Sequence, residues 1–313
     1  MIKVEKYSSD KKEQWNDFIE RSKNGTFLFN RNFMDYHSDR FTDFSLMIYK
    51  NDKLISCCPS NVKGDEIHSH QGLTYGSFVF NDKMRIAQAE EILDATIEFY
   101  RNNGIKTLYI KQIPSIYHKK PSNEMDYWLW RKGAEIYRRD TTFTVDLTQE
   151  LNFSSRKIRY KKKAEKNGLL IKESDNFADF WSKILIPNLE MKFNVKPVHS
   201  LSEILMLAGL FPKNIRQYNV YFDEKTIAGT TLFICGETVH TQYISSNSTG
   251  TQNGALDYLF MYLIDKFKRE GYRYFDFGIS NEDDGKVLNY SLAEYKEGFG
   301  VNVFVHQFYK LDI

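Results

Sequence analysis

Residue types that can do chemistry gather at the two ends of one stretch, Thr249 to Gly278, TGTQNGALDYLFMYLIDKFKREGYRYFDFG. Its small, polar opening runs into an apolar-periodic segment, and the first backbone N–H groups of a helix bind phosphate oxygens. Gly250 and Gly254 let a ligand come close to the backbone, and Thr251, Gln252 and Asn253 can add side-chain hydrogen bonds. A plainer reading of the same residues puts Gly250 in a turn and uses Asn253 as a helix cap. At the other end Asp276 closes an aromatic strand, the place where α/β sheets present ligands. Its carboxylate can take up a proton, orient an amine, or simply bind the N–H groups of the loop that follows. The acidic run Asn281, Glu282, Asp283, Asp284 reads mainly as a solvated loop, with one side chain available to an ammonium group.

A second charged element is NFSSRKIRYKKKAEKNG, Asn152–Gly168, where seven Lys and Arg side chains meet one acid, Glu165. Ser154 or Ser155 can cap a short helix here and Gly168 can end it. Such a helix is either a solvated face or a holder for a phosphorylated or nucleotide-linked substrate. Arg159 suits a phosphate best, because a planar guanidinium binds it through two bonds. Tyr36, Tyr75, Lys192 and Tyr243 join it as candidate acceptor contacts, Tyr75 as an exposed ring in the glycine-flanked GLTYGSF. Metal chemistry is not expected: Asp65, Glu66, His68 and His70 lack a further cluster with ligand spacing, although His68 and His70 would share a strand face. Nucleophile-elbow and Walker patterns are also missing.

These residues need a scaffold, and 313 residues suffice for two domains. A net charge of +2, from 43 basic and 41 acidic residues, gives no global attraction to DNA or membrane. Three cysteines, two of them adjacent, do not make a disulfide framework and fit a reducing compartment. With a charged N-terminus and no run long enough to span a bilayer, a cytoplasmic protein is expected. The elements repeat. A hairpin turning at Asn51-Asp52, a long polar stretch, a helix Ala87–Arg101, Gly104 and a strand are matched by a second series. That series has a turn at Asp223-Glu224-Lys225, a helix Gly254–Arg269, Gly271 and the strand YRYFDFG. Recurrence of the whole order predicts two copies of one mixed α/β domain, residues 1–150 and 151–313.

Four segments, WNDFIERSKNGTFLFNRNFMDYH, SSRKIRYKKKAEKNGLLI, NGALDYLFMYLIDKFKREGYRYFDFG and LAEYKEGFG, together resemble the FemAB-like acyltransferases, which contain two GNAT-type domains. The resemblance implies two tandem GNAT-like domains, each a mixed sheet flanked by helices. It implies an acyl-donor site in the second domain and an acceptor contribution from the first. Lys296 in EYKEGFG matches the family's lysine near the donor, implying a catalytic role beside Asp276, and Tyr295 matches an often aromatic position that can stack on a donor ring. The chain departs from the GNAT phosphate-loop pattern, since GTQNGA has no Gln or Arg at its expected place. The main expectation is N-acyl transfer, from acetyl-CoA or another acyl-CoA, to an amine of an amino sugar, nucleotide-linked glycan or other envelope precursor. The alternatives are aminoacyl-tRNA-dependent transfer to a peptidoglycan precursor, and a non-catalytic binding protein on the same fold.

Overall fold

The computed structural model describes residues 1–313, the side chain of Phe193 excepted. The chain divides into two compact units. One comprises Met1–Thr141, Asn281–Val287 and Phe304–Ile313, the other Thr142–Ser280 and Leu288–Val303.

In the first unit an antiparallel sheet runs in the order Ile2–Lys6, Leu46–Lys50, Lys53–Cys58, Val79–Phe80. Asn51 and Asp52 both take positive φ between Lys50 and Lys53, the two-residue hairpin turn whose twist suits paired strands. Strand Thr107–Lys111 pairs parallel to Glu66–His68 and antiparallel to Phe308–Asp312. Helix Ile86–Asn102 turns Ala89, Ile92, Leu93, Ile97 and Tyr100 inward, the i, i+3, i+4 spacing of a one-sided helix. Gly104, at φ +78, ends it where a left-handed residue is required.

The second unit repeats the hairpin, helix, glycine and strand series, with a longer hairpin. Leu170–Glu173, Ile215–Phe222, Lys225–Cys235 and Thr238–Ser246 form an antiparallel series. The turn is the residue pair Asp223-Glu224, both at positive φ, and Lys225 already belongs to the strand. Helix Ala255–Arg269 crosses back to Tyr274–Ile279, which lies parallel to Thr238–Ser246 and antiparallel to Thr142–Asp146. Gly271, at φ +84, does for this helix what Gly104 does for the other. In the second unit the helix therefore links two parallel strands, while in the first the strand before the helix, Val79–Phe80, lies in the four-stranded sheet and Thr107–Lys111 sits between parallel Glu66–His68 and antiparallel Phe308–Asp312.

Phe260 and Phe267 of the helix pack against Phe275 and Phe277 of the strand, with Phe299 closing the group. Side chains alternate along a strand, so burying Phe275 and Phe277 against this helix commits Asp276 to the opposite face. Among the described residues no helix is long and apolar enough to cross a membrane.

Candidate active site

Asp276 is the centre of the polar face, with 1 % of its side chain exposed. Its Oδ1 accepts hydrogen bonds from the hydroxyls of Thr142 and Thr144, the latter at 2.9 Å, and from the N–H of Gly278 at 3.2 Å. Oδ2 faces His240 Nδ1 at 2.7 Å. The threonines come from the antiparallel neighbour, Thr144 directly opposite Asp276, while His240 is its register partner on the parallel side. An ionised carboxylate only accepts, so the His240 nitrogen facing it carries a proton and Nε2 becomes the basic nitrogen of the neutral ring. His240 and Asp276 are also the last paired residues of the two parallel strands, although both strands run further. The sheet opens at this pair, as parallel sheets do where they receive ligands.

Lys296, on helix Tyr290–Glu297, completes the cluster. It is 3 % exposed, and its Nζ donates to the carbonyl oxygens of Gly278 at 2.9 Å and Ile279 at 2.7 Å. An ammonium has three N–H donors, so two carbonyls do not exhaust it. Burial lowers the Lys296 pKa to about 8, with the Asp276 charge acting in the opposite direction. Gly278 joins the two halves of the site: its φ is +72, and a Cβ there would stand 3.3 Å from the His240 ring. Any side chain at 278 would crowd His240 and strain the loop whose carbonyl holds Lys296.

The phosphate-loop expectation meets a different geometry. A Cβ on Gly250 would lie 2.4 Å from the Ile227 carbonyl oxygen, and one on Gly254 would lie 2.9 Å from the Tyr160 side chain. Both glycines are thus needed for packing inside the protein, and the close approach at Gly254 is made by Tyr160. Asn247 caps the short helix Ser248–Gln252 by accepting from the Gly250 N–H. Asn253 donates to Thr249 O and accepts from Asn167, while Lys163 donates to Gln252 O. Thr251 is bonded back to Asn247 O. The basic helix, Ser155–Lys166, capped by Ser154, therefore lies on this loop. Asp257 adds a carboxylate in the first turn of the long helix, a favourable place for a negative charge, and Lys157 pairs with it. The two glycines are thus used by the fold itself, and the loop's side chains are tied to one another and to the basic helix.

Lys157 pins the basic helix in place. Its Nζ pairs with Asp257 at 2.5 Å and lies 3.3 Å and 3.9 Å from the ring centres of Tyr295 and Phe299. Burial lowers its pKa to about 8, opposed by Asp257. The Tyr295 ring thus already carries a cation, and its hydroxyl is buried with no partner among the described residues. Lys157 therefore covers one face of the ring expected to stack on a donor. We expect Lys157→Met to cost about 3 kcal/mol in urea unfolding, since it leaves the Asp257 carboxylate buried and unpaired. Lys157→Met combined with Asp257→Leu should recover most of that loss.

The remaining sequence candidates scatter. Tyr75 is 2 % exposed, bonded to Thr26 at 3.3 Å and packed against Phe29 and Tyr117, so the expected exposed ring is a core residue. Tyr36, also in the first unit, is half-buried against Phe33 and His37. Arg159 and Lys192 are exposed in the second unit. Tyr243 is buried, its hydroxyl 2.6 Å from His199 Nδ1, and its pKa is pushed up to about 12 by burial. A bulge at Gln242 puts Tyr243 on the same sheet face as His240 despite their three-residue spacing. His70 does not share a strand face with His68: the strand stops at His68, and His70 turns away at φ +63 to stack on His37. In the acidic run, Asn281 accepts from Thr141 and Asp284 pairs with Arg138.

His240, Thr142 and Thr144 escape sequence reasoning. Their only signal is positional, since the parallel and antiparallel neighbours of one strand must meet at its polar residue. That signal becomes usable only when the strand order is known.

Residues 190–297 match the sequence profile of the acetyltransferase (GNAT) domain. Among curated protein sequences there is no significant match. Among solved structures, FemX superposes with a TM-score of 0.70 at 10 % identity, covering 99 % of this chain and 97 % of that one. The C-terminal domain of a putative lysylphosphatidylglycerol synthetase from Agrobacterium fabrum gives 0.63 at 12 % identity, covering 96 % and 91 %. A tandem GNAT protein from the clavulanic acid biosynthesis pathway gives 0.54 at 10 % identity, covering 100 % and 98 %. The chain has the tandem GNAT fold seen in FemX and the tandem GNAT protein, and its match to the acetyltransferase (GNAT) profile lies in its second half.

Proposed function

We propose that this protein is an aminoacyltransferase that moves an aminoacyl group from a charged tRNA to an amine of a cell-envelope precursor. The observation that carries this reading is the state of the donor loop. Tyr160 packs on Gly254, and the helix that brings it there turns Arg156, Arg159, Lys162, Lys163 and Lys166 outward. That surface suits a polyanionic carrier better than a pyrophosphate buried at a helix end. The likeness to FemX, and to a synthetase named for an aminoacylated lipid, agrees with it. On this reading the second unit receives the donor.

The cluster then has a chemical task. A neutral amine attacks the ester carbonyl of the charged tRNA, forming the C–N bond as the C–O bond to the terminal ribose breaks. Neutral His240, oriented by Asp276, takes the proton that the amine loses and returns it to the leaving ribose oxygen. Lys296 offers its remaining N–H to the carbonyl oxygen as charge develops there. No covalent enzyme intermediate is required.

A CoA thioester donor is the second reading, favoured by the match of residues 190–297 to the acetyltransferase (GNAT) domain. Titrating the purified protein with acetyl-CoA and with charged tRNA separates them. Saturable, salt-sensitive tRNA binding with no CoA binding is the expected result. Tight acetyl-CoA binding that is lost on Gly254 substitution would replace the first reading with the second.

A further inference from the structure

Helix Leu201–Leu210, LSEILMLAGL, is apolar on every side, yet only Ile204 and Leu207 are buried. A helix that is hydrophobic all round belongs in an interior or against an apolar medium. Here Leu205, Met206 and Leu210 are 44 %, 46 % and 52 % exposed, and Met191, Val195 and Val198, just before the helix, are 76 %, 50 % and 71 % exposed. The helix is firmly built all the same. Ser200 and Glu203 form a complete capping box, so the exposed face is presented on an ordered element.

Charge indicates what covers this face. Lys192, Lys196 and Lys213 are exposed within and beside the apolar run. The one acid within the stretch, Glu203, is engaged in the cap, and a single exposed acid, Glu190, stands just before Met191. The described exposed side chains from Met191 to Lys213 include no Tyr, Trp or Arg, the residues that anchor protein interfaces. Aliphatic and Met side chains flanked by lysines are instead the composition of a surface that sinks its apolar groups among acyl chains, with ammonium groups at headgroup level.

We propose that the face formed by Met191–Lys213 docks this protein on an anionic lipid bilayer. Leu205, Met206 and Leu210 enter the interface, and the neighbouring lysines contact the headgroups. This inference does not depend on the identity of the acyl donor.

The test is vesicle co-sedimentation of the full chain, with vesicles of phosphatidylcholine alone and of phosphatidylcholine mixed with phosphatidylglycerol. Partitioning onto the anionic vesicles should be about tenfold or more higher, as expected for a few interfacial lysines, and should weaken in high salt. Leu205→Ser with Leu210→Ser, and separately Lys192→Gln with Lys196→Gln, should each abolish most of it. Since all four side chains are exposed, the thermal unfolding transition should not move. Equal partitioning onto both vesicle types, or serine variants that bind like the parent, would overturn the proposal. So would a concentration-dependent dimer that the serine variant loses, which would assign the face to a second copy of this chain.

Discussion

Asp276→Asn should lower single-turnover transfer roughly a thousandfold, the scale expected when a general base loses the partner that fixes its tautomer. An amide has almost the shape of the carboxylate, so packing among Thr142, Thr144 and His240 should survive, and the unfolding midpoint tests that. What changes is the proton on His240. An amide NH2 facing Nδ1 favours the opposite tautomer and removes the base from Nε2. His240→Gln should give a loss of similar size, and the double variant should be little worse than either single one, because the two residues act as a unit. If both single variants transferred at the parental rate, the polar face at Asp276 would not be the reacting site.

Lys296→Met should reduce transfer by about a hundredfold or more, the scale of removing one donor to a developing oxyanion. The pH profile gives a readout that a merely structural lysine would not. With its pKa lowered by burial to about 8, Lys296 loses its charge far below the ordinary lysine value of 10.5. Transfer that depends on this ammonium should therefore fall as pH rises through about 8. Lys296→Arg, if it retains activity, should move that limb beyond the measurable range, since a guanidinium does not deprotonate there. Stability follows with a definite sign. Below pH 8 both the folded and unfolded chains hold the proton, and the folded state bears the full cost of burying it. Between about 8 and 10.5 the folded chain releases the proton while the unfolded chain keeps it, so stability from this group rises with pH. Lys296→Met should remove this group's share of the rise and leave the share that Lys157 contributes over the same range.

The parts of this molecule that the sequence determined are those governed by local chemistry. The helices Ile86–Asn102 and Ala255–Arg269 follow from a 3.6-residue apolar period, and their ends follow from Gly104 and Gly271. The Asn51-Asp52 turn follows from residues that tolerate positive φ. Asp276 could be singled out because alternation between Phe275 and Phe277 forces it onto the opposite face, and Lys296 could be singled out through the family resemblance.

Tertiary structure decided what those residues touch. The glycines of TGTQNGA predict an open backbone equally well whether a phosphate or a tyrosine fills the space, and Tyr160 lies about ninety residues upstream. Tyr75 has the flanking glycines of an exposed loop, but two aromatic neighbours distant in sequence enclose it. His240 is a lone histidine in a strand until Thr238–Ser246 and Tyr274–Ile279 pair in parallel and set it against Asp276. Periodicity and turn chemistry act over a few residues and can be read along the chain. Ion pairs and enclosed rings depend on strand order and helix docking, which bring together residues that no local pattern connects.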